Sequence, residues 1–267
     1  MSNVSQYGVR RFGRVNWLGL WTLIRRENMR YLAIWQQTIF APLITAALFL
    51  LVFSIAIGPG RADVMGFDYV SFLAPGLLMM TVIQNSFANT SSSMLSAKVM
   101  GSIVDTLMPP LSPLEMTIGF LAGGIGRGLL IGAVLCLSMG LSLGIWVAHP
   151  TWTLAFLVLG GMFMGALGLL GSTYAFKFDQ MAAISNFVIT PLAFLSGTFY
   201  SIQALPSLMQ PLIHVNPMFY IIDGGRYSVL GVSDGSPWMA LAVICGANIC
   251  AVGLAWFWLS RGYRLKS

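Results

Sequence analysis

The sequence predicts an all-α integral membrane protein with six transmembrane helices, an N-terminal interfacial helix, and outer re-entrant helices between spans five and six. Three observations carry this. First, 57% of the 267 residues are hydrophobic and only 8% charged, against about 25% charged in a soluble domain. Second, mean hydropathy is +0.81, and apolar runs of about 20 residues, enough to cross a bilayer as a helix, recur along the chain. Third, a Pro-rich stretch (within 184–231) separates the last two apolar segments. It is too polar and broken to span again, and too apolar for an ordinary loop. Such backbone is tolerated at the bilayer edge only when packed on protein or facing water. It reads as a structured plug on one face, in a protein that controls passage.

The chain forms one membrane domain over 1–267, with a cytoplasmic or interfacial segment (1–32), a bundle (33–260) and a cytoplasmic tail (261–267). In segment 16–31, Trp17, Leu20, Trp21 and Ile24 recur at helical spacing, and Arg25, Arg26 and Arg30 follow. This suits a helix in the inner interface, its tryptophans toward lipid and its cations toward phosphate. No small-residue cleavage site follows the first apolar run, so that run reads as a retained span. The spans are expected at 33–57, 69–93, 114–146, 152–175, 181–200 and 237–260.

Span two turns polar in its inner half, with Gln84, Asn85, Asn89, Thr90 and the three serines after it. Asn85 and Asn89 lie one turn apart on one face, as do Asn186 and Thr190 of span five. These side chains either bond between helices or line a wet path. Between spans two and three, Ile103, Val104, Leu107 and Met108 give a short helix, which Pro109 and Pro110 end. A new helix then starts with Ser112 as N-cap, Pro113 in its first position and Glu115 in its third. The short helix is either a plain connection or an apolar knob for another protein.

Span three carries Gly124, Gly128, Gly132, Cys136, Gly140 and Gly144 at intervals of four, preceded by Gly119 and Gly123; Gly161, Gly165 and Gly168 continue the theme in span four. Small residues so spaced let helix backbones approach closely. Arg127 is the one full charge expected deep in a span, with Asp179 or Glu115 as candidate partners. No carboxylate is expected deep in any span, which argues against an ion-coupled transporter. Cys136, Cys245 and Cys250 lie in apolar helices and read as small packing residues.

Charge sets the expected orientation. With both termini inside, Arg10, Arg11, Arg14, Arg25, Arg26, Arg30, Lys98, Lys177, Arg261, Arg264 and Lys266 are cytoplasmic, against Arg61 and Arg226 outside. The net charge of +6 is thus a topology signal, and nucleic acid is not an expected partner. No catalytic or metal motif is legible. His149 and His214 are flanked by proline and apolar residues without ligand spacing.

Four stretches taken together resemble the permease subunits of ABC-2-type transporters, in particular the compact bacterial six-span exporters. They are RRENMRYLAIWQQTIFAPLITAALFLLVFSIAIG (25–58), FDYVSFLAPGLLMMTVIQNSFANTSSSM (67–94), TLMPPLSPLEMTIGFLAGGIGRGLLIG (106–132) and ITPLAFLSGTFYSIQALPSLMQPLIHVNPMFYIIDGGRYSVLG (189–231). The resemblance implies a homodimer in the bacterial inner membrane, with two separate ABC ATPase subunits beneath. ATP and Mg would bind those partners, and no cofactor this chain. It implies outward movement of a hydrophobic, lipid-linked or glycan-type substrate along the permease–permease seam. On that pattern 101–108 is the coupling helix, with Ile103, Asp105, Thr106 and Leu107 as contact residues. Glu27 and Arg30 belong to the connecting helix, and 206–214 and 216–226 are the re-entrant helices. Asn85, Asn89, Asn186 and Thr190 lie near the path. Where relatives often carry an acidic EELL-like coupling segment, this chain has VDTLM. The alternative is a secondary transporter or channel without an ATPase, for which Arg127 is the one candidate intramembrane charge.

Overall fold

The computed structural model describes residues 15–56, 63–206 and 210–264. Arg10, Arg11, Arg14, Arg61 and Lys266 of the charge count lie outside these residues, as does part of the 206–214 helix. Every regular element described is helical; the one extended pairing is an isolated bridge between Val64 and Phe67.

The chain opens with α1 (Trp17–Ala33), capped by Asn16 accepting from the Gly19 amide, and turns at Ile34 into α2 (Trp35–Ala56). The long helix α3 (Tyr69–Val99) follows, then the short α4 (Ile103–Leu107) and the long α5 (Pro113–Leu143). The start of α5 is the expected capping box: the Glu115 amide donates to Ser112 Oγ, and Glu115 Oε2 accepts from the Ser112 amide at 2.6 Å. Gly144, at φ 71°, closes the helix in the left-handed conformation that glycine takes without a Cβ penalty. After it come α6 (Pro150–Tyr174), the lid helices α9 (Gln210–His214) and α10 (Pro217–Leu230), and α11 (Pro237–Ser260).

Five of these helices are long and apolar enough to cross a membrane: α2, α3, α5, α6 and α11. The expected fifth span takes a different form. It is built from α7 (Phe178–Ile184), a π-turn over Ser185–Ile189 and α8 (Thr190–Phe194). Pro191 has no N–H, so the ladder widens and the Thr190 amide reaches back to Ser185 O. The 17 residues rise roughly 25 Å at 1.5 Å each, short of a full hydrocarbon crossing of about 30 Å.

At the centre lies α3, packed by α2, α5, α6 and α10. The glycines of α5 serve three neighbours. A Cβ on Gly124 or Gly128 would overlap Thr90 and Ser86 of α3, and one on Gly132 would overlap Leu157 of α6. A Cβ on Gly119, Gly123 or Gly126 would overlap Leu23, Glu27 and Asn28 of α1. The amphipathic reading of α1 is therefore split. Trp17 and Trp21 stay outward, 73% and 64% exposed, whereas Leu20 leaves their stripe and joins Leu23, Glu27 and Tyr31 against the bundle. Cys245 and Cys250 are exposed on α11 and do not fill the core. The outer surfaces of α2 and α11 carry Phe40, Ile44, Leu48, Ile249 and Leu254, as lipid-facing helices do.

Candidate functional site

A continuous line of polar side chains runs from the turn between α3 and α5 into the bundle. It begins at α4. Asp105 is exposed and Leu107 half-buried, with Val104 and Met108 exposed beside them. Ile103 and Thr106 point the other way. Ile103 packs inward with Met94, Met116, Phe120 and Leu259. Thr106 is buried and accepts from Arg26 Nη1 at 2.9 Å. The alternation is what a short helix lying on a bundle produces, one side docked and one side free.

From Arg26 the line continues through α1. Arg26 Nη2 donates to Glu27 Oε1 at 2.9 Å, and Glu27 Oε2 lies 3.8 Å from Arg30 Nε. Glu27 is 1% exposed, so its charge is held between two guanidinium groups within the protein. Burial lowers the Arg30 pKa from its ordinary value, against the raising effect of Glu27. Arg30 Nη2 donates to Asn89 O at 2.6 Å and to Asn89 Oδ1 at 2.9 Å, and its Nη1 to Ser92 Oγ at 3.1 Å. Glu27 and Arg30 thereby join α1 to the centre of α3. A second tie sits below. Glu115 Oε1 accepts from the Asn16 amide at 2.6 Å, so one carboxylate caps α5 and holds the start of α1.

Beside this line a groove of about 320 Å³ opens between α1 and α4. Leu18, Thr22, Arg26, Asp105, Thr106 and Pro109 are among its walls.

Of the residues expected along a path, Asn85 and Asn89 are drawn into bonds between helices. Asn85 Oδ1 accepts from Arg127 Nη2 at 3.0 Å. Arg127 therefore pairs with a neutral amide and not with Asp179 or Glu115; Glu115 is already committed to the two N-caps. Asn186 is exposed and Thr190 half-buried, both at the π-turn. The packing of α3 is with α2, α5, α6 and α10, so the two pairs do not form one cluster within a single chain.

The opposite end of the bundle holds a second charged cluster that the sequence reading missed. Arg226, expected as an outer, solvated charge, is 0% exposed and buried among protein groups. Its Nη1 lies 3.5 Å from Asp234 Oδ2 and 3.7 Å from Asp223 Oδ1, and its Nη2 donates to Gly197 O at 2.6 Å. Its guanidinium sits 4.0 Å from the Phe72 ring centroid. Ser201 bonds to Asp234, and Asp223 accepts from the Asp234 and Gly235 amides. The turn after α8, the lid helix α10, the loop before α11 and the start of α3 thus meet at one cation. The Asp223–Arg226 spacing, one helical turn, was the available signal. Gly76 of the FLAPG stretch sits here too, because a Cβ there would overlap the Thr198 carbonyl.

Lys98 was counted only as a cytoplasmic charge. Its Nζ donates to the carbonyls of Ser172, Thr173 and Ala175 at 2.7–3.0 Å, capping the C-terminus of α6. Among the described residues no three His, Cys, Asp or Glu side chains converge as metal ligands.

Comparisons with known proteins place this helical bundle in a family. The family model for ABC-2 type transporters matches residues 19–230. The chain is 35% identical over 252 residues to the inner membrane transport permease YadH of Escherichia coli K12, covering 94% of this chain and 98% of that protein. It is 24% identical over 238 residues to nodulation protein J of Sinorhizobium fredii, covering 86% of this chain and 87% of that protein. A nodulation protein J of Rhizobium meliloti matches at 23% over 249 residues, 92% of this chain and 91% of the other. Matched by the family model over residues 19–230 and by a 35% identical permease over nearly its whole length, the chain belongs to the ABC-2 type transporter family.

Proposed function

We propose that this protein is the membrane half of an ATP-driven exporter in the bacterial inner membrane. Two copies form the permease, and two separate ABC ATPase subunits dock beneath and bind ATP and Mg. The chain crosses six times with both termini in the cytoplasm, the π-interrupted segment 178–194 being the fifth crossing. The substrate is hydrophobic, lipid-linked or glycan-like and leaves along the seam between the two copies, near Asn186 and Thr190.

The observation that supports this most is the polar line Thr106–Arg26–Glu27–Arg30–Asn89. Its lower end lies beneath an exposed knob made of Val104, Asp105 and Met108, with the half-buried Leu107 at its base, beside the α1–α4 groove. Its upper end is at the middle of the central helix. A push on the knob therefore has a direct mechanical route to α3. Ile103 and Thr106 act in this reading as the inward anchors of the coupling helix, and Asp105 and Leu107 as its outward contacts. Arg226 and its two carboxylates hold the lid at the far end.

The test is reconstitution. The permease alone and the permease with its ATPase are placed in vesicles with candidate amphiphiles, and outward movement is followed with and without ATP. Export requiring both ATPase and ATP supports the proposal. Uphill export by the permease alone, driven by an ion gradient, overturns it and favours a secondary transporter.

A further inference from the structure

Two guanidinium groups end on successive turns of α3: Arg30 on Asn89, and Arg127 on Asn85. One carboxylate reaches this neighbourhood, Glu27, and it is already shared by Arg26 and Arg30. Among the described residues no carboxylate is within ion-pairing distance of Arg127. An arginine has five N–H donors. The one acceptor found by Arg127 is the Asn85 amide oxygen, and the amide nitrogen of Asn85 is turned to Thr81 O. Arg127 Nε is buried without a protein acceptor, while part of the residue stays open to its surroundings. The local charge is positive, and donors are left over.

Depth adds the second argument. α3 and α5 have 31 residues each, about 46 Å at 1.5 Å per residue, against about 30 Å of hydrocarbon. Some of each helix therefore lies beyond the hydrocarbon. On α3 the mostly apolar run 69–83 gives way to polar residues at Gln84, whereas on α5 apolar and small residues flank Arg127 on both sides, 118–126 and 128–137. Asn85 and Arg127 face one another at the α3 changeover. α2 starts nearby at Trp35, its Thr38 hydroxyl bonded to Tyr31 O. A charge is costly at the bilayer centre and far less so at the headgroup level. The α3 changeover puts Arg127 toward that level.

We propose that Arg127, held by Asn85 and flanked by Arg30, binds the phosphate of a net-anionic, membrane-embedded amphiphile. Charge-assisted N–H···O bonds from the spare guanidinium donors recognise the phosphate, and the apolar upper half of the bundle lies alongside the acyl or prenyl chain. Two sources supply that chemistry: the phospholipid of the bilayer, or a transported amphiphile bearing phosphate. The site rests on the membrane placement proposed above but not on the ATPase, so binding assays test it separately from transport.

The experiment is native mass spectrometry of the full-length permease, titrated with phosphatidylglycerol and, as the control, phosphatidylcholine. A preference for phosphatidylglycerol of at least tenfold is expected, lost in Arg127→Gln and largely kept in Arg127→Lys. That pattern assigns the site to the bilayer lipid. A phosphate-bearing amphiphile other than phospholipid that co-purifies with wild type, and is lost in Arg127→Gln, assigns it to the cargo. Equal affinity for the two lipids, with no such amphiphile, overturns the proposal. Should Arg127→Gln not fold, headgroup-photolabelled phosphatidylglycerol is crosslinked to wild type. Adducts on 81–92 or 123–131 support the site, and labelling confined to other helices refutes it.

Discussion

Arg26 and Thr106 stand eighty residues apart in the chain and are joined by a 2.9 Å hydrogen bond. That bond fixes the short helix α4 to α1. Because Arg30 of α1 is in turn bonded to Asn89 of α3, hydrogen bonds tie α4, α1 and α3 to one another.

The exposed side of α4 is the place to break docking without harming the bundle. Met108 is 75% exposed. Met108→Arg, and Val104→Arg on the same exposed side, are expected to abolish co-purification of the ATPase, since a charge on a small apolar knob removes its complementarity. The permease should still insert and elute as before. Persisting assembly and transport in both variants would reject α4 as the docking element.

Thr106→Val removes the acceptor for Arg26 but keeps shape and burial. Docking should survive, whereas ATP hydrolysis should couple less tightly to export. The measure is transported substrate per ATP, expected to fall severalfold. An unchanged ratio would mean that the polar line does not carry motion.

Glu27→Gln leaves two guanidinium groups without their shared anion. Removing one member of a buried charge cluster costs about 3–5 kcal/mol. The lower end applies here, since Arg26 and Arg30 are 46% and 36% exposed. Equilibrium unfolding in mixed micelles should register about 3 kcal/mol. A change within about 0.5 kcal/mol, the range of ordinary surface substitutions, would count against the buried role.

At the outer end, Arg226→Met strands Asp223 and Asp234 together. It is expected to lower the thermal midpoint more than Asp234→Asn, which leaves Asp223 to balance the cation. Equal midpoints for the two variants would show that Arg226 is not the hub of the lid. Gly128→Leu drives a side chain into Ser86 and Val82 and should cut the folded yield. Normal yield would place that face of α5 toward lipid.

Much of the architecture was legible because the bilayer forces long apolar runs. The last span was read at its true limits, 237–260, and the Ser112–Glu115 capping box emerged atom for atom. What the pattern could not give was partner choice. The glycines of α5 announce close packing, yet nothing in their spacing says that Gly119, Gly123 and Gly126 receive α1 while Gly124 and Gly128 receive α3. Arg127 looked in need of an acid, but three-dimensional proximity supplied an amide. Arg226 was read only as an outer charge, and its partner Asp223 was not singled out, because counting residues by side of the membrane ignores which of them fold inward. The segment expected as the fifth span was drawn as a regular helix, and Pro191 made it a widened one.

The carboxylate of Glu115 accepts from the amide of Asn16, 99 positions earlier in the chain. During synthesis the first helix therefore emerges with neither its anchor nor its glycine-lined socket yet translated. At about 5–20 residues per second the wait is on the order of 5–20 s. The earlier-made helix can take its seat only once the later one exists, and the face shared by α1, α4 and the start of α5 stays unfinished until α5 has left the ribosome.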